Sequence, residues 1–156
     1  MTEPSVRALQ PTDAGAARAC VSAQLSGSRY ELRVLEQLDA ALRGDDTECR
    51  AMVATALDDQ GVQGVVLFGT VAGAQGVVRI HALTASNAEV ARALGVSVQA
   101  QCIRSAGRML VCEVADDPLA RVTVHAMREL GFEEEGRIAD FVRDATDLLI
   151  LVWRGR

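Results

Sequence analysis

The 156-residue sequence contains no lysine: all 16 of its basic side chains are arginine. That absence excludes every mechanism needing an ε-amine, including the Walker-type phosphate lysine, the Schiff-base lysine and the lysine general base. Aromatic residues are scarce, with one Trp, one Tyr and three Phe, too few for a stacking platform that holds single-stranded nucleic acid. Two histidines and no Cys-x-x-Cys pair give no metal-site spacing. No stretch approaches the roughly eighteen apolar residues that span a bilayer. Residues 1–5 carry an acidic side chain and no apolar signal core. The expectation is a soluble cytoplasmic protein with no membrane and no nucleic-acid partner.

With 49% hydrophobic and 24% charged residues, only 3 Pro and no low-complexity run, the composition fits one compact domain over residues 1–156. The net charge of −5 opposes polyanions and anionic lipid alike. Cys20, Cys49, Cys102 and Cys112 lie far apart in core-like segments and read as reduced, buried thiols.

Residues 6–9 read as a short strand. Pro11-Thr12-Asp13 then starts an Ala-rich helix running to about residue 25. From Tyr30, the spacing of Leu32, Leu35, Leu38 and Leu42 predicts a second, amphipathic helix, stopped by Gly44-Asp45-Asp46. Apolar runs at 51–57, 62–71 and 77–85, separated by Asp58-Asp59-Gln60-Gly61 and by residues 72–76, predict an antiparallel meander. A long helix over about 87–106 closes at Gly107, and residues 108–114 form another strand. Asp117-Pro118 starts the last helix, on which Val122, Ala126, Met127 and Leu130 mark one face. Strands at 136–143 and 148–153, with a turn at Asp144-Ala145-Thr146-Asp147, make a terminal hairpin. The fold class is α+β: a mixed, mostly antiparallel sheet of about seven strands with four helices, the fourth and fifth strands forming a parallel crossover.

This order, with residues 6–14 (VRALQPTDA) at the front and residues 130–136 (LGFEEEG) near the end, resembles the GNAT superfamily of acyl-CoA-dependent N-acetyltransferases over almost the whole chain. The resemblance implies that the fourth and fifth strands splay apart and that acetyl-CoA, a cosubstrate used without metal, lies in the gap. Its pyrophosphate would sit at the start of the crossover helix, where free amides and the helix dipole meet an anion. The family's fingerprint there is Gln or Arg, two residues, Gly, one residue, then Gly or Ala. Arg92-Ala93-Leu94-Gly95-Val96-Ser97 departs from it only in the last position. Against a loop at Arg92, Gly95, Val96 and Ser97 stands Ser86-Asn87-Ala88-Glu89, a capping box that starts the helix earlier and leaves residues 92–97 helical.

Acyl transfer to an amine needs a neutral nucleophile, a donor for the oxyanion and a proton for the leaving thiolate. The resemblance maps the oxyanion amide near Leu83 and the pantetheine pairing onto Ala82, Leu83 and Thr84. It maps the family's thiolate-protonating tyrosine onto Met127, which has no proton to give. His125 is the nearest titratable substitute, but two residues along a helix point about 200° apart, and an exposed outer-face histidine is the competing reading. His81, on the fourth strand, suits the role of base for the amine; its alternative is a core-edge histidine. Tyr30 and Arg33 fall where the family's substrate-facing loop lies, although Tyr30 also reads as a helix anchor. Glu133-Glu134-Glu135 reads as an attractor for a cationic amine or as a solvated turn. Cys102 and Cys112 read as packing residues. Gly95-Val96-Ser97-Val98-Gln99 lacks the second glycine of a nucleophile elbow.

The expected activity is acetyl transfer from acetyl-CoA to a primary amine of a small molecule or peptide. Two rival readings remain. One is a non-catalytic ligand-sensing or protein-interaction module of the same fold that has lost acetyl-CoA binding. The other is a homodimer in which the C-terminal strand, with Trp153, pairs between subunits.

Overall fold

The computed structural model describes residues 3–44, 49–56 and 61–155. Along the chain run β1 (Ser5–Ala8), a 3-10 turn (Pro11–Asp13), α1 (Ala14–Leu25), α2 (Glu31–Arg43), β2 (Cys49–Thr55), β3 (Val62–Thr70) and β4 (Val77–Ala85). Then come α3 (Ala88–Arg104), β5 (Met109–Ala115), α4 (Arg121–Glu129), β6 (Glu133–Arg143) and β7 (Thr146–Arg154). The strands form one sheet in the order β1-β2-β3-β4-β5-β7-β6, antiparallel throughout except for the parallel pair β4 and β5. The expected seven strands and four helices are all present. Asp45, Asp46, Asp58, Asp59 and Gln60, on which an expected helix stop and an expected turn partly rest, lie outside the described residues.

Each sheet face is covered by one pair of helices. Val34 and Leu38 of α2, with Ala17 and Val21 of α1, pack on Val53, Val65, Leu67 and Ala82. On the opposite face Val90, Leu94 and Val98 of α3, with Ala126 and Met127 of α4, pack on Val66, Ile80, Leu83 and Leu110. A fully buried Leu or Val side chain is worth roughly 1.5–3 kcal/mol, so these two layers hold the sheet rigid around whatever gap it contains. Leu32, expected on the buried face of α2, is 78% exposed. It lies six residues from Leu38, roughly 120° around the helix, and Val34 takes the buried place.

Several boundaries differ from the sequence reading, among them the start of β7, which takes Thr146 and Asp147 out of the expected turn. The left-handed residue after α3 is Ala106 (φ 58°), not Gly107. A glycine is needed at 107 because a Cβ there would lie 2.5 Å from the Cys102 Sγ, where the Gly107 amide donates to the Cys102 carbonyl. α4 begins at Arg121, one turn after the Asp117 carboxylate accepts from the Ala120 amide. β6 begins at Glu133, so the acidic triplet is edge strand and not a turn; Glu134 pairs with Arg128 and Arg137, and Glu135 with Arg154. Charge along an outer strand blunts its tendency to pair with another chain. β7 has β5 on one side and β6 on the other, so the C-terminal strand has no open edge for pairing between subunits.

Asp13 ties β1 to the start of α1. It is 6% exposed and accepts from Arg7 at 2.7 and 3.0 Å and from the Gln10 amide at 2.8 Å. The Arg7 hydrogen bonds hold its carboxyl below the ordinary 3.8, against desolvation, which pushes the other way. A depressed native pKa adds stability above the unfolded value, and that stability is lost as pH falls through the native one. Asp13→Asn is therefore expected to cost about 1–2 kcal/mol at pH 7, with the deficit shrinking in acid. Urea unfolding at the two pH values checks this; an equal deficit at both would contradict it.

Candidate functional site

β4 and β5 run together only from Val77 opposite Met109 to Ile80 opposite Cys112. Beyond that point β4 stays with β3, up to Ala85 opposite Gly64, and β5 stays with β7, up to Ala115 opposite Leu148. The cause is visible in the β3–β4 register. Leu67 faces Ala82 and Phe68 faces Ile80, so His81 is an extra residue in the ladder. Such a bulge bends its strand and increases the local twist, here at the residue where β4 leaves β5. The cleft that opens is lined by Gln24, Tyr30, His81, Thr84, Glu113 and Thr123, among others.

Leu83 presents its backbone to this cleft. Its carbonyl accepts from the Gln24 side chain at 3.3 Å and from the Thr123 hydroxyl at 3.4 Å. Opposed residues of an antiparallel pair either exchange both backbone bonds or turn both groups away, so the Leu83 amide also faces the gap. By the same alternation Ala82 and Thr84 give their backbone groups to β3. What Thr84 brings is its hydroxyl: the residue is 2% exposed, and its Oγ1 is buried with no hydrogen-bond partner. An orphaned buried hydroxyl costs about 1–3 kcal/mol.

On the α1/α2 side of the cleft, Glu113 pairs with Arg79 across the two strands at 2.7 Å. Tyr30 stacks against Phe141, ring centroids 5.9 Å apart. Its phenol is pushed up to about 12, first by burial and then by the Glu113 charge and hydrogen bond, with Arg79 opposing, so Tyr30 stays a neutral donor. His81 lines the same side of the opening, together with Tyr30 and Glu113. Arg143 holds this mouth in place. Its guanidinium pairs with Asp117 at 2.6 Å and donates to the carbonyls of Gln24 and Ser26, where a cation suits the C-terminal end of α1. Arg33, grouped with Tyr30 by the sequence, is exposed on α2 and does not reach the cleft.

The start of α3 resolves the two readings of residues 86–97. Asn87 is the N-cap, and its side chain accepts from the Val90 amide at 2.9 Å; its carbonyl takes the Ala91 amide. Arg92, Gly95, Val96 and Ser97 therefore lie inside the helix and do not form an amide-lined loop. Arg92 is ion-paired with Glu129 at 2.5 Å, and the Ser97 hydroxyl donates back to the Ala93 carbonyl. Gly95 sits where α3 crosses α4, beneath Met127 and Leu130, and Val96 is exposed. The glycine reads as a motif residue in sequence, but its smallness serves helix packing.

On α4, Met127 is fully buried in the core. His125 is 68% exposed, beside Glu129 on the outer face, and is not among the residues lining the cleft. Its proposed acid role does not fit that position. α4 reaches the cleft through Thr123, one turn before Met127 on the same face. Cys112 also lines the cleft; complete burial pushes its thiol up to about 12, so it stays protonated and is no nucleophile. The sequence reading missed Gln24, Arg79, Glu113 and Thr123. A signal for two of them exists: Arg79 and Glu113 are lone charges in otherwise apolar interior strands, where unpaired charge is costly.

No protein-family model matches the chain, and no curated protein matches it. Solved structures do. A Desulfovibrio desulfuricans protein assigned to the GNAT family of acetyltransferases superposes with a TM-score of 0.76 at 22% identity, covering 97% of this chain and 98% of that one. A ribosomal-protein-alanine N-acetyltransferase from Brucella melitensis gives 0.73 at 15% identity, covering 97% and 99%. A Salmonella typhimurium protein solved with its cofactor acetyl-CoA gives 0.70 at 13% identity, covering 98% and 94%. With the sheet order, the parallel β4–β5 pair and its parting at His81, these likenesses establish that the chain has the GNAT acetyltransferase fold.

Proposed function

We propose that the chain is an N-acetyltransferase that moves an acetyl group from acetyl-CoA to a primary amine of a small molecule or peptide. The observation that carries the reading is the parting of β4 and β5, with the Leu83 amide turned to the gap and Thr84, whose hydroxyl is orphaned, among the residues that line it. A pantetheine arm carries two amides, and a cleft edged by the Leu83 N–H, with Thr84 in its lining, offers a donor to such an arm. Acetyl-CoA supplies an acetyl group activated as a thioester. Ala82, Leu83 and Thr84 form the wall that holds its arm, and the Leu83 N–H is aimed to donate to the acyl oxygen as charge grows there.

On the other side, Tyr30, Glu113 and His81 receive the amine. The Glu113 carboxylate favours a cationic group at the mouth, although Arg79 holds part of its charge. The His81 imidazole takes the amine's proton as the C–N bond forms; the C–S bond then breaks, and the departing thiolate takes its proton from solvent. Most of the acceleration comes from holding two reactants in line. An amine acceptor agrees with the ribosomal-protein alanine named for the Brucella structure.

The capped start of α3 and the buried Met127 favour a second reading, a ligand-sensing module that no longer turns over. Calorimetric titration with acetyl-CoA, followed by thiol release with a broad amine panel, separates the two. The enzyme binds saturably and releases thiol with at least one amine. Saturable binding with silence across the panel identifies the sensor, and absence of binding leaves the protein-interaction module that has lost acetyl-CoA.

A further inference from the structure

In this chain the two ends of the candidate donor site are unlike. The cleft end offers the Leu83 N–H and an unpartnered, almost fully buried Thr84 hydroxyl. The helix end, where a diphosphate would lie, is already partly engaged. The Val90 amide is taken by the Asn87 side chain and the Ala91 amide by its carbonyl. Only the amides of Ala88 and Glu89 remain in the first turn, and Glu89 adds an exposed acidic side chain to that same turn. An acidic side chain is favourable at a helix start for the same electrostatic reason that a phosphate is, so Glu89 occupies that favourable field and repels a second anion.

Nearby cations do not restore the balance. Arg92, one turn on, is bound to Glu129, while Arg128 is bound to Glu134. The groove beside the first turns of α3 is lined by Glu3, Glu89, Arg92 and Ser97, among others, so it carries two carboxylates against one engaged guanidinium.

We propose that the site recognises a thioester donor by its pantetheine arm, and that the nucleotide diphosphate half of acetyl-CoA adds little to binding. This rests on the reading of the β4–β5 cleft as the donor site. The ligand class is therefore the pantetheine thioester, with or without the nucleotide.

Calorimetric titration of the wild-type chain with acetyl-CoA and with S-acetyl-pantetheine tests it. The two affinities are expected to agree within about threefold, less than the tenfold that 1.4 kcal/mol represents. Acetyl-CoA binding is also expected to hold steady or strengthen as salt rises, because screening weakens the repulsion from Glu89. The double variant Asn87→Gly/Glu89→Ala frees the Val90 amide and removes the carboxylate, and glycine at the cap costs only about a few tenths of a kcal/mol. It is expected to bind acetyl-CoA about fivefold or more tightly than wild type, with S-acetyl-pantetheine unchanged. Acetyl-CoA binding about 30-fold tighter than S-acetyl-pantetheine in the wild type, or a double variant with unaltered acetyl-CoA affinity, overturns the inference and leaves the cleft reading standing. Failure of both ligands to bind overturns the cleft reading and the inference together.

Discussion

Replacing His81 by Gln is expected to lower kcat about 100-fold, the lower end of what a positioned general base contributes. KM for the thioester donor should stay within about threefold of wild type, because the donor is held by the β4 wall and not by the imidazole. His81 is the extra residue that turns β4 away from β5, and it lines the opening beside Tyr30 and Glu113. Glutamine keeps the bulk and the hydrogen-bonding character, so the bulge survives while the titratable group is lost. The pH dependence that a general base imposes on the wild-type rate should be absent from the variant. The measurement is a pH profile of thiol release, using the amine that gives the highest wild-type rate. An unchanged kcat with an unchanged profile would return His81 to a core-edge role.

Gly64→Ala is expected to cost about 2–3 kcal/mol, the range for forcing a methyl group into a filled interior. Gly64 lies on β3 opposite Ala85, where β4 gives way to α3. A Cβ there would lie 2.7 Å from the Thr84 carbonyl oxygen, 2.6 Å from Val90 Cγ1 and 3.0 Å from Leu94 Cδ1. The carbonyl belongs to the sheet backbone and cannot swing aside, so either α3 lifts or the end of β4 moves. Gly95→Ala is the control. Its Cβ meets Leu130 Cδ1 at 2.5 Å and Met127 Cε at 2.6 Å, but both are ends of flexible side chains. Alanine also raises helix propensity by about 1 kcal/mol. Its net cost should stay under about 1 kcal/mol. Urea unfolding of the two variants compares them, and equal losses would contradict the packing at Gly64.

The architecture was legible because it rests on periodicity and punctuation. Leu35, Leu38 and Leu42 recur at helical spacing, residues 62–71 and 77–85 are continuous apolar runs, and Asp117-Pro118 marks the start of α4. Part of the site was legible too: His81, Leu83, Thr84 and Tyr30 all meet at the cleft. What failed was register and side-chain direction. Arg92 to Ser97 comes within one position of a phosphate-loop pattern, yet the segment lies behind a strong cap at Asn87, and the cap won despite the poor helix propensity of Gly95. His125 and Thr123 are neighbours in sequence, but helical geometry sends one to solvent and the other to Leu83. Arg79 and Glu113 became partners only when β4 and β5 were set side by side. No local pattern encodes that pairing.

The central claim is that the gap beyond Ile80 and Cys112 is shaped for a ligand, and Thr84→Val tests it most directly. Valine has nearly the shape of threonine without the hydroxyl whose Oγ1 is buried and unpartnered. Two measurements on this variant, thermal unfolding of the free protein and calorimetric titration with S-acetyl-pantetheine, should move in opposite directions. The free variant is expected to be more stable by about 1 kcal/mol and to bind the thioester about tenfold more weakly, because the hydroxyl is a liability when empty and a hydrogen bond when filled. A variant that binds the thioester as tightly as wild type would contradict the account.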